Sequence, residues 1–372
     1  MKMAASRLMT IAKKEFFDHI RSRKFLLIFG ILLVVAIVGM IGGIADYNKN
    51  VDDYNKHQST IDSPLSSYMP EKPSILSVFS AVATYLVFVG GILGIAMGFD
   101  LVSKEKESKS LKILLSHPVY RDEVINGKAL GGIAAVGCAL LIVLVIALAT
   151  LLVYGIVPDG NELILILIFG LVSFLLIFSY FAVALFLSTA LDESGSALIY
   201  TMIIFIALSA LVPTLANNTV TEFVIGSQPE LPQELVDQMQ QSANSSEVAG
   251  VTVTFSNKGN NVNNGAWDAF TEKMQAYWEK RQMVHDTLAL FSPTMNYESV
   301  TTAITKEYSG TAMVLGGSGS TSVVSSFNVA SGEDAGIDGI LATITANLIA
   351  LLLFPAAFFG LAYLWFMRLD VR

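Results

Sequence analysis

The chain has a single cysteine, Cys138, so it closes no disulfide within itself. Charge is scarce: only 15% of residues are Asp, Glu, Lys or Arg, where soluble domains carry about 25%. No G-x-x-x-x-G-K-[ST] run occurs, which excludes a phosphate-cradling loop of that kind. The four histidines, His19, His57, His117 and His285, never fall at metal-ligand spacing. Cys138, alone inside an apolar run, reads as a small buried hydrophobe. No catalytic constellation emerges, and no cofactor site is expected in this chain. The long apolar runs also lack ionisable residues in their middles. Such residues mark ion and proton pathways inside membranes, so an ion-coupled carrier is disfavoured.

What is abundant is apolar residue, 53% of the chain, gathered into runs rather than spread periodically. Six runs reach the roughly 20 residues a helix needs to cross a bilayer: 25–45, 76–100, 129–154, 163–191, 196–216 and 339–366. The expected fold is an all-α polytopic membrane protein with six transmembrane helices. Residues 1–24 form an interfacial helix, 46–75 an external loop, 101–128 a cytoplasmic loop and 367–372 a cytoplasmic tail. Residues 217–338 form an extracytoplasmic insertion, α+β or mostly helical. Orientation follows from the cations. The face holding both termini, the 101–128 loop and the Asp192 turn has 15 Lys/Arg against 10 Asp/Glu, leaving 8 against 21 on the other. Both termini are therefore expected in the cytoplasm of a multi-pass cell-membrane protein. The acidic balance gives no reason to expect nucleic acid as a partner.

The opening stretch is too long for a signal peptide. Leu8, Ile11, Phe16 and Ile20 recur at helical spacing opposite Lys13, Lys14 and Arg21, which reads as a helix lying on membrane lipid. Within the spans, small residues recur every four positions: Gly90, Gly94 and Gly98, then Gly131, Ala135 and Cys138/Ala139. Such rows let helix backbones approach closely, in a tight bundle or at a dimer seam. In the insertion, Gln233–Gln241 is a candidate helix, Val251–Phe255 alternates like a strand, and Ala266–Leu290 carries a helical stripe of Trp267, Phe270, Met274, Tyr277, Trp278 and Leu288. The Gly/Ser-rich stretch after Tyr308 reads as a loop. Asn217 and Asn244 head glycosylation sequons.

One segment is unlike the rest. Lys104–Lys128 is charged and amphipathic between two apolar runs. Ser103–Ser116 is expected to form a helix presenting Leu111, Leu114 and Leu115, with Lys104, Lys106, Lys109 and Lys112 in water. Pro118 stops it, and a second helix opens at Arg121 or Asp122. The residues Lys106-Glu107-Ser108-Lys109-Ser110-Leu111-Lys112-Ile113-Leu114-Leu115-Ser116-His117-Pro118-Val119-Tyr120-Arg121, closing on Asn126-Gly127-Lys128, resemble a stretch found in integral-membrane subunits of ABC-2 type transporters. That stretch runs basic-Glu-x-x-Thr-Leu-x-x-Leu-Leu-Ser-x-Pro-Val-x-Arg, then an apolar residue and Gly-Lys. The opening, Ile11-Ala12-Lys13-Lys14-Glu15-Phe16 through Arg21-Ser22-Arg23-Lys24-Phe25, is similar to that family's interfacial helix. Leu290-Phe291-Ser292-Pro293 resembles the Leu-Ser-Pro before its last span. The chain departs from the pattern at Lys109, commonly glycine, and at Ser110, commonly threonine.

The resemblance implies a permease that dimerises, with itself or a related chain, and pairs with a separate ABC ATP-binding subunit holding ATP and Mg. Export is the usual direction. It implies coupling roles for Glu107, Ser110, Leu111, Leu114, Leu115, Pro118 and Arg121, and an interfacial helix carrying Lys13, Lys14, Glu15, Phe16 and Arg23. The chain itself would be no enzyme. Two other classes remain open: a membrane-anchored sensor recognising ligands through its external insertion, and a non-ABC transporter or channel.

Overall fold

The structure, a computed structural model, describes residues 2–59, 73–110, 120–216, 220–233, 236, 264–305, 312–315, 323–326 and 337–368. The chain divides into two compact units: Met1–Pro213 with Ala289–Glu307 and Gly336–Arg372, and Thr214–Leu288 with Tyr308–Ala335.

The first unit is helical among its described residues. It contains α1 (Lys2–Arg21), α2 (Arg23–Ser59), α3 (Phe79–Gly98), α4 (Ser103–Glu107), α5 (Arg121–Val153), α6 (Gly160–Ala190) and α7 (Ser194–Ile206). Six helices among the described residues are long and apolar enough to cross a membrane. Local chemistry fixes their ends. Ser22 separates α1 from α2 and caps the latter, its hydroxyl accepting the Phe25 N–H at 3.2 Å. Asp159 and Glu162 form a reciprocal capping box at the start of α6, with both bonds at 2.7 Å. The preceding turn uses Gly155 at φ +76°, where a side chain would be strained.

The elements differ from the sequence expectation in two places here. α2 does not end near residue 45 but continues to Ser59, because Asp46–Ser59 contains no glycine or proline to stop it. α1 also spends its apolar stripe on protein rather than lipid. Ile11, Phe16 and Ile20 pack into the core, and α1 runs along the first turns of α5, where a Cβ on Gly131 would lie 2.6 Å from the Glu15 Cβ and 2.8 Å from the Ala12 carbonyl.

α6 is the centre of the bundle, touching α3, α5 and α7. Lipid offers apolar side chains as good a surface as protein does, so helix association here depends on close packing. The glycine row of α3 provides it. Beta carbons on Gly94 would strike the Ile177 carbonyl, and on Gly98 would lie 2.7 Å from the Phe181 carbonyl; Gly90 faces the Ile177 side chain at 3.0 Å. This row packs on α6 within one chain. On α5, Ala135 and Ala139 are buried. Cys138, expected to be buried with them, is exposed, since one residue is a 100° rotation around the helix.

The second unit is described in part. After α8 (Val220–Ile225), α9 (Asn264–Ala289) buries Phe270 and Met274 against Leu231 and Trp278. Strands β1 (Ala312–Leu315) and β2 (Val323–Ser326) pair antiparallel, with Val314 opposite Val324. They lie where the sequence suggested only loop, and Val314, Val323 and Val324 have the β-branched type favoured in strands. The candidate strand Val251–Phe255 and both sequons lie outside the described residues, as does most of Gln233–Gln241.

Between the two stretches of the second unit in sequence comes α10 (Pro293–Thr305), and α11 (Ile337–Arg368) is the last helix. The sequence assigned residues 217–338 to the external side, but Ala289–Glu307 belong to the bundle. Thr294 and Tyr180 hydroxyls meet at 2.6 Å, and those of Tyr297 and Ser173 at 3.4 Å. The Ser292 hydroxyl donates to the Leu208 carbonyl at 2.7 Å, within a π-helical turn, Ala207–Leu211, that extends α7. Ser173 is ten residues from Leu163 and 14 from Leu187 along α6, about 15 and 21 Å at the helical rise. α10 therefore packs on α6 about halfway along that helix rather than at its end.

The packing of α3 on α6 is testable. Gly94→Ala is expected to destabilise the purified protein by about 1–3 kcal/mol through overpacking. The same change at Gly30, where an added Cβ meets nothing within 4 Å, is expected to leave its thermal unfolding in detergent unaltered.

Candidate functional site

The charged segment opens with α4, and three consecutive side chains of α4 reach three different parts of the bundle. Glu105 meets the Lys128 ammonium at 2.8 Å, and Lys128 also holds Glu15 of α1 at 2.9 Å. Lys128 is 4% exposed, so its charge is taken out of water and depends on these two carboxylates. Lys106 turns the other way. Its ammonium donates to the carbonyls of Thr189 at 2.6 Å and Leu191 at 3.2 Å, with Asp192 at 3.5 Å. Carbonyls at a helix C-terminus lack intrahelical partners and carry the negative end of the dipole, so a cation there caps α6. Glu107 accepts from the Ser194 hydroxyl at 2.8 Å and the Ser194 N–H at 3.4 Å, placing a carboxylate at the positive end of α7. Opposite charges on adjacent residues thus meet opposite helix ends.

The backbone entering α4 is held too. The Val102 and Ser103 N–H groups both donate to the Ser188 hydroxyl, at 2.9 and 3.0 Å. Just before it, Asp100 pairs with Lys24 at 2.8 Å, and the Lys24 ammonium lies 4.6 Å from the Phe99 ring centre. A cavity of about 430 Å³ opens here, lined by Lys24, Phe99, Asp100, Lys104, Glu107, Ser108 and Ser194.

Of the expected coupling residues, Glu107, Ser110 and Arg121 are described, whereas Leu111, Leu114, Leu115 and Pro118 lie outside the described residues. The Ser110 hydroxyl contacts that of Ser108 at 2.9 Å. Arg121 begins α5 and donates to the Met367 carbonyl at 3.4 Å, in the last turn of α11. Of the N-terminal set, Glu15 enters the buried cluster, Phe16 packs on the core, and Lys13, Lys14 and Arg23 are exposed, with Lys14 3.8 Å from Asp18. Lys106, expected in water, is instead withdrawn onto the end of α6, its side chain 8% exposed, because the unpaired carbonyls there answer its charge. Sequence reasoning passed over Glu105 and Ser188, which had no signal, and gave Lys128 no role beyond the lysine of the closing Gly-Lys.

The arrangement is a mechanical one, with a loop between two spans bonded to the ends of three others. A family model described as ABC-2 family transporter protein matches residues 9–371. The chain belongs to that family. A search of curated proteins finds no match. In this ABC-2 permease the position commonly held by glycine has a structural reason. Lys109 has φ +56°, the left-handed region that glycine enters without strain. It ends α4 at Glu107, so Ser103–Ser116 is not the single helix expected.

Two predictions follow the charges. Lys128→Met leaves Glu15 and Glu105 together at a buried point, and is expected to cost about 3–5 kcal/mol in unfolding free energy. Glu105→Gln in the same chain is expected to return part of that loss. The second concerns His19 on α1, whose Nε2 is buried with no hydrogen-bond partner. Burial holds its imidazole below the usual 6.5, against the opposing pull of Glu15 and Asp100. The depressed value favours folding fully above about pH 6.5, and that contribution is lost as pH falls toward the folded-state value. Melting temperatures of the ABC-2 permease are therefore expected to decline below that pH, and less steeply for His19→Phe.

Proposed function

We propose that this permease is the membrane half of an exporter powered by a separate ATP-binding subunit, and works as a dimer of permease chains. The observation that carries the reading is the divided grip of α4: Glu105 toward α5 and α1, Lys106 on the end of α6, and Glu107 on the start of α7. A displacement of the loop is delivered to four helices at once. The partner seats against Leu111, Leu114 and Leu115, Pro118 sets the bend, and the charges of Glu107 and Arg121 fix the register. Ser110 starts the docking segment. ATP and Mg stay with the partner, and this chain hydrolyses nothing.

The cation distribution supports an orientation with both termini, α4 and the Asp192 turn in the cytoplasm of a cell-membrane protein. The insertion 217–338, apart from α10, which its packing within the bundle makes a re-entrant element in this reading, then faces outward.

Co-purification tests the reading. Leu114→Asp is expected to abolish association with the ATPase and transport, while the variant still inserts in the membrane and elutes as wild type. Retention of the ATPase by that variant overturns the docking assignment, and clear ATP turnover by the purified permease alone overturns the two-component mechanism.

A further inference from the structure

Residues 104–107 of α4 are all charged, and three of them are partnered. Glu105, Lys106 and Glu107 each bond to another helix or to its end. Lys104 is different: its side chain is exposed and makes no ion pair among the described residues. It lines the cavity of about 430 Å³, together with Lys24, Phe99, Asp100 and Glu107. That volume is in the range of small-molecule sites. The charges around it balance, two ammonium groups against two carboxylates. Lys24 is held by Asp100, and Glu107 uses Oε2 on Ser194. The Lys104 ammonium and the Oε1 of Glu107 remain for a ligand. A ligand of one sign meets like charge from two of the four groups, whereas one carrying both signs does not.

The apolar part of the ligand is indicated by α3. Tyr85, Phe88 and Ile92 are exposed, and Ala96 and Phe99 partly so. Their spacing of three and four residues puts them on one face, away from the glycine row that packs on α6. This stripe ends at Phe99, in the cavity wall. From Tyr85 to Phe99 it covers about 21 Å at the helical rise, enough for an acyl chain, since two such chains end to end fill a hydrocarbon layer about 30 Å thick. On α2, Leu27 and Ile31 are exposed one and two turns beyond Lys24. A charge-balanced cavity thus stands at the head of a long apolar surface.

We propose that this cavity holds the headgroup of an aminophospholipid, with the phosphate on Lys104 and Lys24, the ammonium on Glu107, and the acyl chains along the open stripe of α3. A primary ammonium donates hydrogen bonds to the Glu107 carboxylate, which a trimethylammonium cannot, and a headgroup of net negative charge is opposed by Asp100 and Glu107. The lipid is a bound component of the bundle and not its cargo, so the inference does not rest on the exporter reading.

The experiment uses the full-length permease, purified in detergent and stripped of lipid, with native mass spectrometry and thermal unfolding as readouts. Palmitoyl-oleoyl phosphatidylethanolamine is expected to be retained at one molecule per chain and to raise the unfolding temperature. Its apparent affinity is expected to exceed that of the matching phosphatidylcholine or phosphatidylglycerol by about tenfold or more. Lys104→Ala is expected to weaken phosphatidylethanolamine about tenfold, with the lipid-free unfolding temperature unchanged, and Lys104→Arg to retain most of the affinity. Ile92→Gln is expected to weaken binding as well. Glycerophosphoethanolamine, the same head without chains, is expected to bind at least about a hundredfold more weakly. Equal affinity for the other two lipids overturns the headgroup assignment, and phosphatidylethanolamine binding unchanged by Lys104→Ala overturns the site. Glycerophosphoethanolamine binding as tightly as the lipid assigns the cavity to a soluble phosphate ester instead. A lipid-free dimer that Ile92→Gln dissociates gives the stripe to a second copy of the chain and overturns the acyl-chain placement. None of these readouts depends on ATP-driven transport, so a failed exporter reading leaves the lipid site to be judged separately.

Discussion

An ammonium group withdrawn from water must find carboxylates close by, and Lys128 finds two, one on each side. Glu15 comes from the N-terminal helix and Glu105 from α4. Neither carboxylate is on the helix that carries the lysine, so this one buried charge determines where two separate elements lie against α5. The mutual attraction offsets a desolvation cost that no single partner would cover well. Once Glu105 is committed to Lys128, its neighbours Lys106 and Glu107 are directed elsewhere, and they meet the end of α6 and the start of α7.

The bundle thus has two polar layers of different kinds. At one end, charges are paired or set against helix dipoles. Near the middle, hydroxyls of Ser173, Tyr180, Thr294 and Tyr297 pair between α6 and α10. α6 belongs to both layers, and its close approach to α3 through Gly94 and Gly98 leaves little freedom for the two to slide independently. In the proposed transporter, a pull on α4 reaches the central helix at its capped end, and the central helix also holds α10.

Hydropathy made the six spans legible, since about 20 consecutive apolar residues have few other uses. The position of the charged loop and the spacing of the glycines were legible for similar reasons. The depth of α10 was not. Ser292, Thr294, Asn296, Thr301 and Thr305 give it the composition of a surface helix, and it sinks because Ser292 and Thr294 find partners on α7 and α6 while Asn296, Thr301 and Thr305 bond to carbonyls of their own segment. The burial of Lys128 was hidden too, because a lysine at the edge of an apolar run ordinarily marks the water boundary. Lys109 looked like a minor departure from a motif, and its left-handed backbone shows why glycine is the easier residue there. The run of α2 to Ser59 lay beyond the apolar signal, in residues whose helicity depends on the absence of breakers.

The π turn in α7 has a bearing on how the protein is made. An apolar span can leave the translocation machinery for lipid by itself, but α10, with its hydroxyls and amide, cannot. It needs the Leu208 carbonyl and the hydroxyls of Ser173 and Tyr180 already in place. All three belong to helices synthesised before it, while α11, which also packs on α10, emerges afterwards. Synthesis from the N-terminus therefore makes every one of these partners of α10 before α10 itself, and makes the last span, which covers it, afterwards.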